Sequence, residues 1–409
     1  MELLAPAGNL EKLKSAVRFG ADAVYCGAGA FSLRAPETSF SPDELAAGVH
    51  FSHNHGCRVY LAMNIFAFDE DFIEMIAYFK QAVQLGIDAV IVSDPGLLAQ
   101  IRRIAPDIKI HLSTQANTTN SESVKFWQDQ GVNRIVVARE LSLEQIKTIK
   151  KNVPAMELEV FVHGAMCIAY SGRCLLSKFL NNRSANRGHC TQPCRWEYRL
   201  KETLREEEQA IHEDARGTYI LNSRDLCMIE HLPALAEAGV DSLKIEGRMK
   251  TAYYVAAVTR VYRAALDSMN KLGSAYRINP VWVEELAKVS HRPYTSGFYL
   301  PELGDETEYT TDSSYIRDYD FVGTVTQHNV EENRLRVSAR NRISVGDCLE
   351  ILDPQYSEVL MITVNRIIAV ETDDDLDAAH NGYQVDLFLA EDSAVKISQD
   401  AIIRNKSEV

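Results

Sequence analysis

Residues 1–27 read MELLAPAGNLEKLKSAVRFGADAVYCG and contain the unit that decides the fold. Two short apolar runs, at 2–8 and 23–29, are typical of buried strands. The segment between them has the apolar spacing of an amphipathic helix and ends near a glycine that can cap it. The order predicts a strand, a helix and a second strand as one unit of a parallel α/β fold.

The same rhythm continues along the chain and gives eight predicted strands. The six further strands are expected at 59–65, 89–95, 108–116, 134–140, 158–164 and 242–248. Eight such units are typical of a TIM-type (β/α)8 barrel, which is the predicted fold. The alternative is an open doubly wound sheet, but no GxGxxG sequence follows the first strand as a dinucleotide-binding fold requires.

The alternation of predicted strands and helices is interrupted after the seventh strand, and this interruption indicates the domain organisation. We expect a barrel domain at 1–272 that contains a Cys-rich insertion at 165–220. A Pro-, Tyr-, Ser- and Thr-rich linker or extension follows at 273–315. Alternating apolar residues and turn residues then predict a small C-terminal β-barrel domain at 316–409.

Composition limits the classes of partner. The formal net charge of -14 opposes loose electrostatic binding to nucleic acid, so any polyanion needs a local basic surface. The sequence has neither a leader pattern nor an apolar stretch of the roughly 20 residues that a membrane span needs. We therefore expect a cytoplasmic protein that does not bind a membrane.

Four of the eight cysteines cluster in the insertion: Cys167, Cys174, Cys190 and Cys194. In a reducing compartment, clustered thiols are expected to bind metal rather than form disulfides. Four thiolates suit either tetrahedral zinc or an iron-sulfur cluster. The wide spacing, without paired CxxC motifs, favours the cluster over zinc. Cys227 is interpreted as a buried cysteine at the start of a helix.

Polar and charged residues follow most predicted strands. In a barrel such positions converge on one face, where active sites are built. Asn64, Ser93 and Asp94 are interpreted as helix caps. A site is predicted from the charged set, which comprises Arg139, Glu140, Lys244, Glu246 and Arg248. The alternative is that the arginines pair with Glu140 and Glu246.

Three segments resemble the peptidase U32 family. They are residues 159–177, EVFVHGAMCIAYSGRCLLS, the opening 1–27, and residues 242–255, SLKIEGRMKTAYYV. The resemblance covers essentially the whole chain. Within the family, residues 188–198, GHCTQPCRWEY, and the overall length are similar to members that hydroxylate tRNA.

This resemblance implies an activity, a cofactor and partners. It implies conversion of the wobble uridine of tRNA to 5-hydroxyuridine, with prephenate as a required metabolite. It also implies a 4Fe-4S cluster on the four cysteines named above, and it leaves room for a second family member as a subunit. Peptidase activity is the alternative that the family name carries, but the sequence contains neither HExxH nor GxSxG. An RNA-binding scaffold without catalysis is the other alternative.

The candidate catalytic and binding residues are chosen by their position in the family motif and by their charge. His163 and Glu159 are the candidate catalytic residues, with hydrogen bonding or a buried ion pair as the alternative. Because arginine binds carboxylates in bidentate fashion, Arg139 and Arg248, with Lys244 and Glu246, are candidates for binding prephenate. The RNA-binding candidates are Arg183, Arg187, Arg195, Arg199, Arg334 and Arg336, the last two on one strand face.

Overall fold

The structure is a computed structural model that describes residues 1–32, 40–166, 173–193, 213–214, 217–218, 224–300, 316–355, 358–390 and 396–407. Its strands, in chain order, are β1 (Glu2–Ala7), β2 (Ala23–Gly27), β3 (Arg58–Met63), β4 (Ala89–Val92), β5 (Lys109–Leu112), β6 (Arg134–Val136), β7 (Glu157–Ala165), β8 (Glu213–Asp214), β9 (Gly217–Thr218), β10 (Asp225–Cys227), β11 (Ser242–Ile245), β12 (Tyr294–Thr295), β13 (Tyr319–Asn329), β14 (Arg334–Ala339), β15 (Ile343–Ser344), β16 (Cys348–Leu352), β17 (Leu360–Ala369), β18 (Asp375–Leu376), β19 (Ala378–Ala379), β20 (Gln384–Leu389) and β21 (Ile402–Lys406).

The helices alternate with the barrel strands and then continue towards the C-terminal domain. They are α1 (Leu10–Arg18), α2 (Pro42–Asn54), α3 (Phe72–Gln84), α4 (Pro95–Ile104), α5 (Ser121–Asp129), α6 (Leu143–Asn152), α7 (Leu176–Asn181), α8 (Leu232–Glu237), α9 (Ala252–Leu272) and α10 (Pro280–Ala287). Short polar side chains start several of them. Asn9 accepts from the Lys12 amide at α1, and Asp94 accepts from the Leu97 amide at α4, as predicted for Asp94.

Eight parallel strands close into a barrel. β1 to β7 pair in sequence order, and β11 pairs with both β7 and β1. The predicted TIM-type barrel is therefore confirmed, and all eight predicted strands are present. Several are shorter than expected; the strand expected at 108–116 ends at Leu112, because its last residues form the turn at the barrel mouth.

Strand alternation divides the core into two layers. Residues on the outer faces, such as Leu3, Val24 and Leu61, are fully buried beneath the surrounding helices. Residues on the inner faces form a smaller separate cluster that includes Leu4, Tyr25 and Tyr60. The inner layer is small because charged residues occupy much of the rest of the barrel interior, as shown below.

Two short strands extend the barrel sheet beyond β7. β10 pairs antiparallel with the end of β7, and β12 pairs parallel with β10. The interpretation of Cys227 as a residue at the start of a helix is therefore wrong: it lies in β10, opposite His163. Asp225, in the same strand, is buried, and its Oδ1 pairs with Arg292 Nη2 at 2.8 Å. The segment expected as a linker contains α10 and β12, which pack on the barrel.

The C-terminal domain is a small antiparallel β-barrel. Its sheet runs β16-β21-β13-β14-β20-β17, and β17 also pairs with β16, so six strands form a closed ring. Alternate residues of β14, including Leu335 and Val337, point into an apolar core that is separate from the first domain's core. This confirms the predicted C-terminal β domain. Among the described residues, no helix is both long and apolar enough to cross a membrane.

Arg404 connects the two domains. It is fully buried on β21 and donates to both carboxylate oxygens of Glu285 on α10, each at 2.9 Å. Its Nε donates to Glu350 Oε2 at 2.8 Å, and Nη1 donates to the Tyr253 hydroxyl at 3.3 Å. A buried guanidinium shared by two carboxylates fixes the orientation of the β-barrel relative to the α/β barrel.

Replacing Arg404 with Met should destabilise the protein strongly. The substitution leaves the buried Glu285 and the half-buried Glu350 without their main cation, and loss of a partner from a buried pair typically costs about 3–5 kcal/mol. Urea unfolding followed by circular dichroism measures the loss. The matched control is Arg366→Met, which removes an exposed arginine paired with Asp375. Equal midpoints for the two variants would contradict the structural role of Arg404.

Candidate active site at the barrel mouth

An ionic network fills the amino-terminal half of the barrel interior. Glu159 on β7 is fully buried and accepts from Lys244 Nζ at 2.8 Å, Arg134 Nη1 at 3.2 Å and Ser242 Oγ at 3.2 Å. Arg134 also contacts Glu2. The alternative interpretation of Glu159 as a buried partner of an arginine is what the structure shows. Its catalytic role stays a prediction.

The charge state of this network follows from its hydrogen bonds. Burial alone would raise the pKa of Glu2, but hydrogen bonds from Arg134 and Tyr60 and the charge of Arg58 outweigh it and lower that pKa. The Tyr60 hydroxyl donates to Glu2 Oε2 at 2.8 Å. Glu2 is therefore ionised at neutral pH, and two buried carboxylates face the two buried cations Arg134 and Lys244.

Two aromatic rings lie above this network. The Lys244 ammonium is 4.5 Å from the ring centroid of Tyr25 and 5.6 Å from that of Phe161, so the two rings flank one cation. Lys244 was predicted to bind a ligand. In the structure its ammonium group forms an ion pair with Glu159, below the two rings. The rings separate the ionic network from the barrel mouth.

Arg139 lies on the mouth side of these rings. Its guanidinium carbon is 3.8 Å from the centroid of Phe161, and its Nη1 donates to the Ala165 carbonyl at 3.2 Å. Glu246 Oε2 is 3.6 Å from Nη2, which is an ion pair too long for a good hydrogen bond. The buried Nε has no hydrogen-bond partner among the described residues. The predicted alternative pairing with Glu246 is present, but it leaves donor capacity unused.

Arg248 reaches the same mouth from β11. Only 4% of it is exposed, its Nη1 donates to Ser32 Oγ at 3.1 Å, and its guanidinium carbon is 6.0 Å from the Tyr25 centroid. Gly8 makes this position possible, since a Cβ there would be 2.0 Å from the Arg248 carbonyl oxygen. Both predicted arginines therefore lie over the aromatic rings at the carboxyl ends of the strands.

Amide and hydroxyl groups complete the mouth over β3, β4 and β5. Asn64 Nδ2 donates to Ser113 Oγ at 3.0 Å, and Ser113 Oγ donates to Gln115 Oε1 at 3.3 Å. Gln115 is 2% exposed, and its Nε2 has no hydrogen-bond partner among the described residues. Sequence reasoning treated Asn64 as a cap and did not select Gln115. Its position in the turn that follows the fifth strand was the available signal.

His163 lies on the opposite side of its strand from the mouth. A β-bulge in β7 shifts the partners from Phe161 with Lys244 to His163 with Ile245, leaving Val162 as the extra residue. The His163 ring consequently packs among Tyr254, Tyr262 and Tyr294, with centroids 5.3–6.0 Å apart. Its catalytic role stays a prediction, and its surroundings favour a positioning role in which the ring orders the end of β7.

Two of the four predicted metal ligands are described. Cys174 is half-buried and Cys190 is exposed, whereas Cys167 and Cys194 lie outside the described residues. The segments that carry the two thiols are joined by hydrogen bonds. Cys174 N donates to Asn186 Oδ1 at 3.2 Å, and Ser177 Oγ donates to the His189 carbonyl at 3.3 Å.

The Cys190 sulfur itself accepts a hydrogen bond from the amide of Gln192 at 3.3 Å. Cysteine binds metal in its thiolate form. Burial instead raises the pKa of Cys26 and Cys57 to about 12, which keeps those thiols protonated. The environments of Cys174 and Cys190 therefore fit ligands, and those of Cys26 and Cys57 fit packing.

The predicted RNA-binding arginines have different surroundings. Arg187 makes a bidentate pair with Asp71, at 2.8 and 2.9 Å, which holds the insertion against the loop after β3. Arg334 and Arg336 lie on one face of β14, as predicted, where both pair with Asp386. Arg183 is exposed. Arg195 and Arg199 lie outside the described residues.

The His163 ring should remain neutral in the folded protein across the physiological pH range. Burial lowers the pKa of His163 to about 3, against an opposing effect of Asp225. The unfolded chain then binds the additional proton between pH 6.5 and about 3, so this stabilisation is present above pH 6.5 and is lost on acidification. Heteronuclear NMR should show no ring titration from pH 8 to 5, whereas the urea-unfolded chain titrates near pH ~6.5. A folded-state midpoint above pH 6 would contradict the buried geometry.

Comparison with known proteins gives the family. The model of peptidase family U32 matches residues 8–309, and that of the peptidase family U32 C-terminal domain matches residues 317–404. The chain is 39% identical over 384 residues to tRNA hydroxylation protein P1 of Bacillus subtilis (strain 168), covering 94% of this chain and 90% of that protein.

Two further relatives have similar identity. One is tRNA hydroxylation protein P of Escherichia coli (strain K12), 38% identical over 395 residues, with 87% of this chain and 86% of that protein covered. The other is an uncharacterized protease of Methanocaldococcus jannaschii, 38% identical over 369 residues, with 88% and 86% covered. Both domains and nearly the whole length match, and the chain therefore belongs to peptidase family U32.

Proposed function

We propose that this protein hydroxylates tRNA in the cytoplasm, converting the wobble uridine to 5-hydroxyuridine, with prephenate as a ligand and a 4Fe-4S cluster as cofactor. Relatives named as tRNA hydroxylation proteins, similar over nearly the full length, support the reaction class. The structural observation that carries the proposal is the pair Arg139 and Arg248 over an aromatic floor at the barrel mouth.

The two arginines suit a small acid with two carboxylates. Each guanidinium can bind one carboxylate through parallel N–H donors. Arg139 retains a buried Nε without a described partner, and its long contact with Glu246 can be exchanged for a ligand oxygen. Tyr25 and Phe161 close the barrel below the ligand and exclude water, which strengthens these charge-assisted bonds. Prephenate has the required pair of carboxylates.

The cysteines would hold the cofactor. Cys167, Cys174, Cys190 and Cys194 are the proposed ligands, supported by the accessible thiols and by the amide donated to the Cys190 sulfur. When bound, an iron-sulfur cluster supplies the electron transfer that no side chain provides alone. The chain's own contribution is to anchor the insertion beside the mouth, where Arg187 binds Asp71 and Asn186 accepts from Phe66 and Cys174.

Substrate RNA would approach the mouth along basic surface. Arg183, Arg187, Arg195 and Arg199 in the insertion are proposed to contact phosphate groups, as are Arg334 and Arg336 in the C-terminal domain. Because Asp386 offsets the charge of the last two, their share of the binding energy should be modest. A second family member as a subunit stays a prediction.

Peptidase activity is the weaker alternative. A cysteine peptidase needs a thiolate beside a basic histidine. Cys227 and His163 are adjacent across the β7–β10 ladder, but burial raises the pKa of Cys227 to about 11 and lowers that of His163 to about 3. This pair holds a protonated thiol and a ring too weakly basic to activate it.

Conservative substitution of either arginine should strongly reduce hydroxylation. Arg139→Lys and Arg248→Lys keep the positive charge but lose bidentate geometry, and each should lower 5-hydroxyuridine derivatives at least about tenfold. The measurement is nucleoside analysis of tRNA from a deletion strain that expresses each variant. Arg103→Lys, an exposed residue of α4, is the matched control. Unchanged nucleosides in the deletion strain itself would overturn the proposed function.

Removal of any cluster ligand should remove the iron. Protein purified without oxygen should be brown and carry about four irons per chain, and alanine at any of the four cysteines should lose most of them. Cys348→Ala, at an exposed cysteine of the C-terminal domain, should retain the iron. Iron and zinc are quantified by elemental analysis. A colourless protein with one bound zinc would contradict the cluster.

A further inference from the structure

A second site lies at the junction of the two domains, away from the mouth. It is an open cleft of about 960 Å³ between the ends of α1 and α2 and three segments of the C-terminal domain, which are 326–328 in β13, 354–355 and 396–399. Its basic lining residues are Arg18, His55, His328 and Lys396, and the rest are apolar, hydroxyl or amide residues. No described lining residue is acidic, although the chain as a whole has a net charge of -14.

One buried carboxylate holds together two segments of the C-terminal domain that line this cleft. Asp353 is fully buried and accepts from the amide of Gln355 at 2.8 Å and from the amide and hydroxyl of Ser398 at 2.6 and 2.9 Å. Gln355 and Ser398 both line the cleft. Because one acceptor fixes both, the cleft is formed before any ligand binds.

His328 offers an unused donor in this cleft. Its Nδ1 accepts from the Ile397 amide at 2.8 Å, so in the neutral ring the proton is on Nε2. Burial lowers the pKa of His328, which favours that neutral form. Nε2 is buried and has no hydrogen-bond partner among the described residues. A buried donor without a partner carries a desolvation cost, which an acceptor oxygen that reached it would relieve.

The cleft lies at the amino-terminal end of the barrel, opposite the mouth. Arg18 ends α1 at the amino-terminal end of the barrel, where it pairs with Asp400 at 2.7 Å, and Glu11 in the first turn of α1 pairs with Arg340. The C-terminal domain therefore lies along α1, a distance of about 10 Å between those two pairs at 1.5 Å per residue. A ligand held in the cleft and at the mouth must be longer than this.

We propose that this cleft binds the phosphate–ribose backbone of the tRNA whose loop enters the barrel mouth. The inference rests on the proposed function. Basic side chains attract phosphates, while amides and hydroxyls such as Gln327 and Ser398 suit phosphate oxygens and 2′-hydroxyls. The cleft volume exceeds that of a single phosphate, and Arg18 is partly neutralised by Asp400. Affinity should therefore come from several contacts along a strand.

Charge reversal in the cleft tests this. Lys396→Glu should raise the Kd for unmodified tRNA about tenfold and lower the slope of log K against log salt by about one, because one counterion is no longer released. His328→Leu removes a neutral donor and should weaken binding while leaving that slope unchanged. The measurement is fluorescence anisotropy with the full-length protein at several salt concentrations. The control is Lys151→Glu, an exposed lysine on α6.

The possible outcomes distinguish a failure of the cleft site from a failure of the proposed hydroxylation activity. Cleft variants that match Lys151→Glu in affinity and slope overturn the cleft site while the parent still hydroxylates tRNA. Weakened binding by the cleft variants, with no hydroxylation by the parent, supports the cleft site and overturns the proposed function. If inorganic phosphate alone binds the cleft by phosphorus NMR and tRNA affinity is unchanged in the variants, the site is one for small anions and the inference is wrong.

Discussion

The buried ion network of Glu2, Arg134, Glu159 and Lys244 is the constraint on which the rest of the barrel depends. Interiors of this fold are usually filled by branched apolar side chains, whereas here four charges on β1, β6, β7 and β11 neutralise one another. These strands include the three that meet where the barrel closes. Removing one charge would leave an uncompensated ion in the interior, which is strongly destabilising.

Above this network, the charged residues at the mouth differ in their surroundings from those inside the barrel. Tyr25 and Phe161 divide the interior, with Lys244 balanced by Glu159 below and Arg139 and Arg248 above. The lower charges are satisfied by one another and stabilise the fold. Among the upper groups, Arg139 retains a buried Nε without a partner among the described residues. Neutral, hydrogen-bonded amides and hydroxyls over β3 to β5 give the mouth polarity without competing charge.

The fold was predictable from sequence because its signal is periodic, whereas the roles of individual residues depend on contacts between distant segments. Apolar runs separated by amphipathic helices identified all eight barrel strands, and the residues after them identified Arg139 and Arg248. The interior pairing of Lys244 with Glu159 was not predictable, because it joins residues 85 positions apart. The outward turn of His163 was also not predictable, since alternation from Phe161 would place it inside and only the bulge moves it.

The bulge at Val162 also limits how the gene can change. Side chains of a strand alternate between faces, so gaining or losing one residue between Phe161 and Ala165 would exchange the faces of every residue after it. His163 would then turn from the tyrosines into the barrel, and the chain leaving Ala165 towards the cysteines would start from the wrong side of the sheet. Insertions and deletions should therefore be excluded from these few positions during evolution, even where single substitutions are accepted.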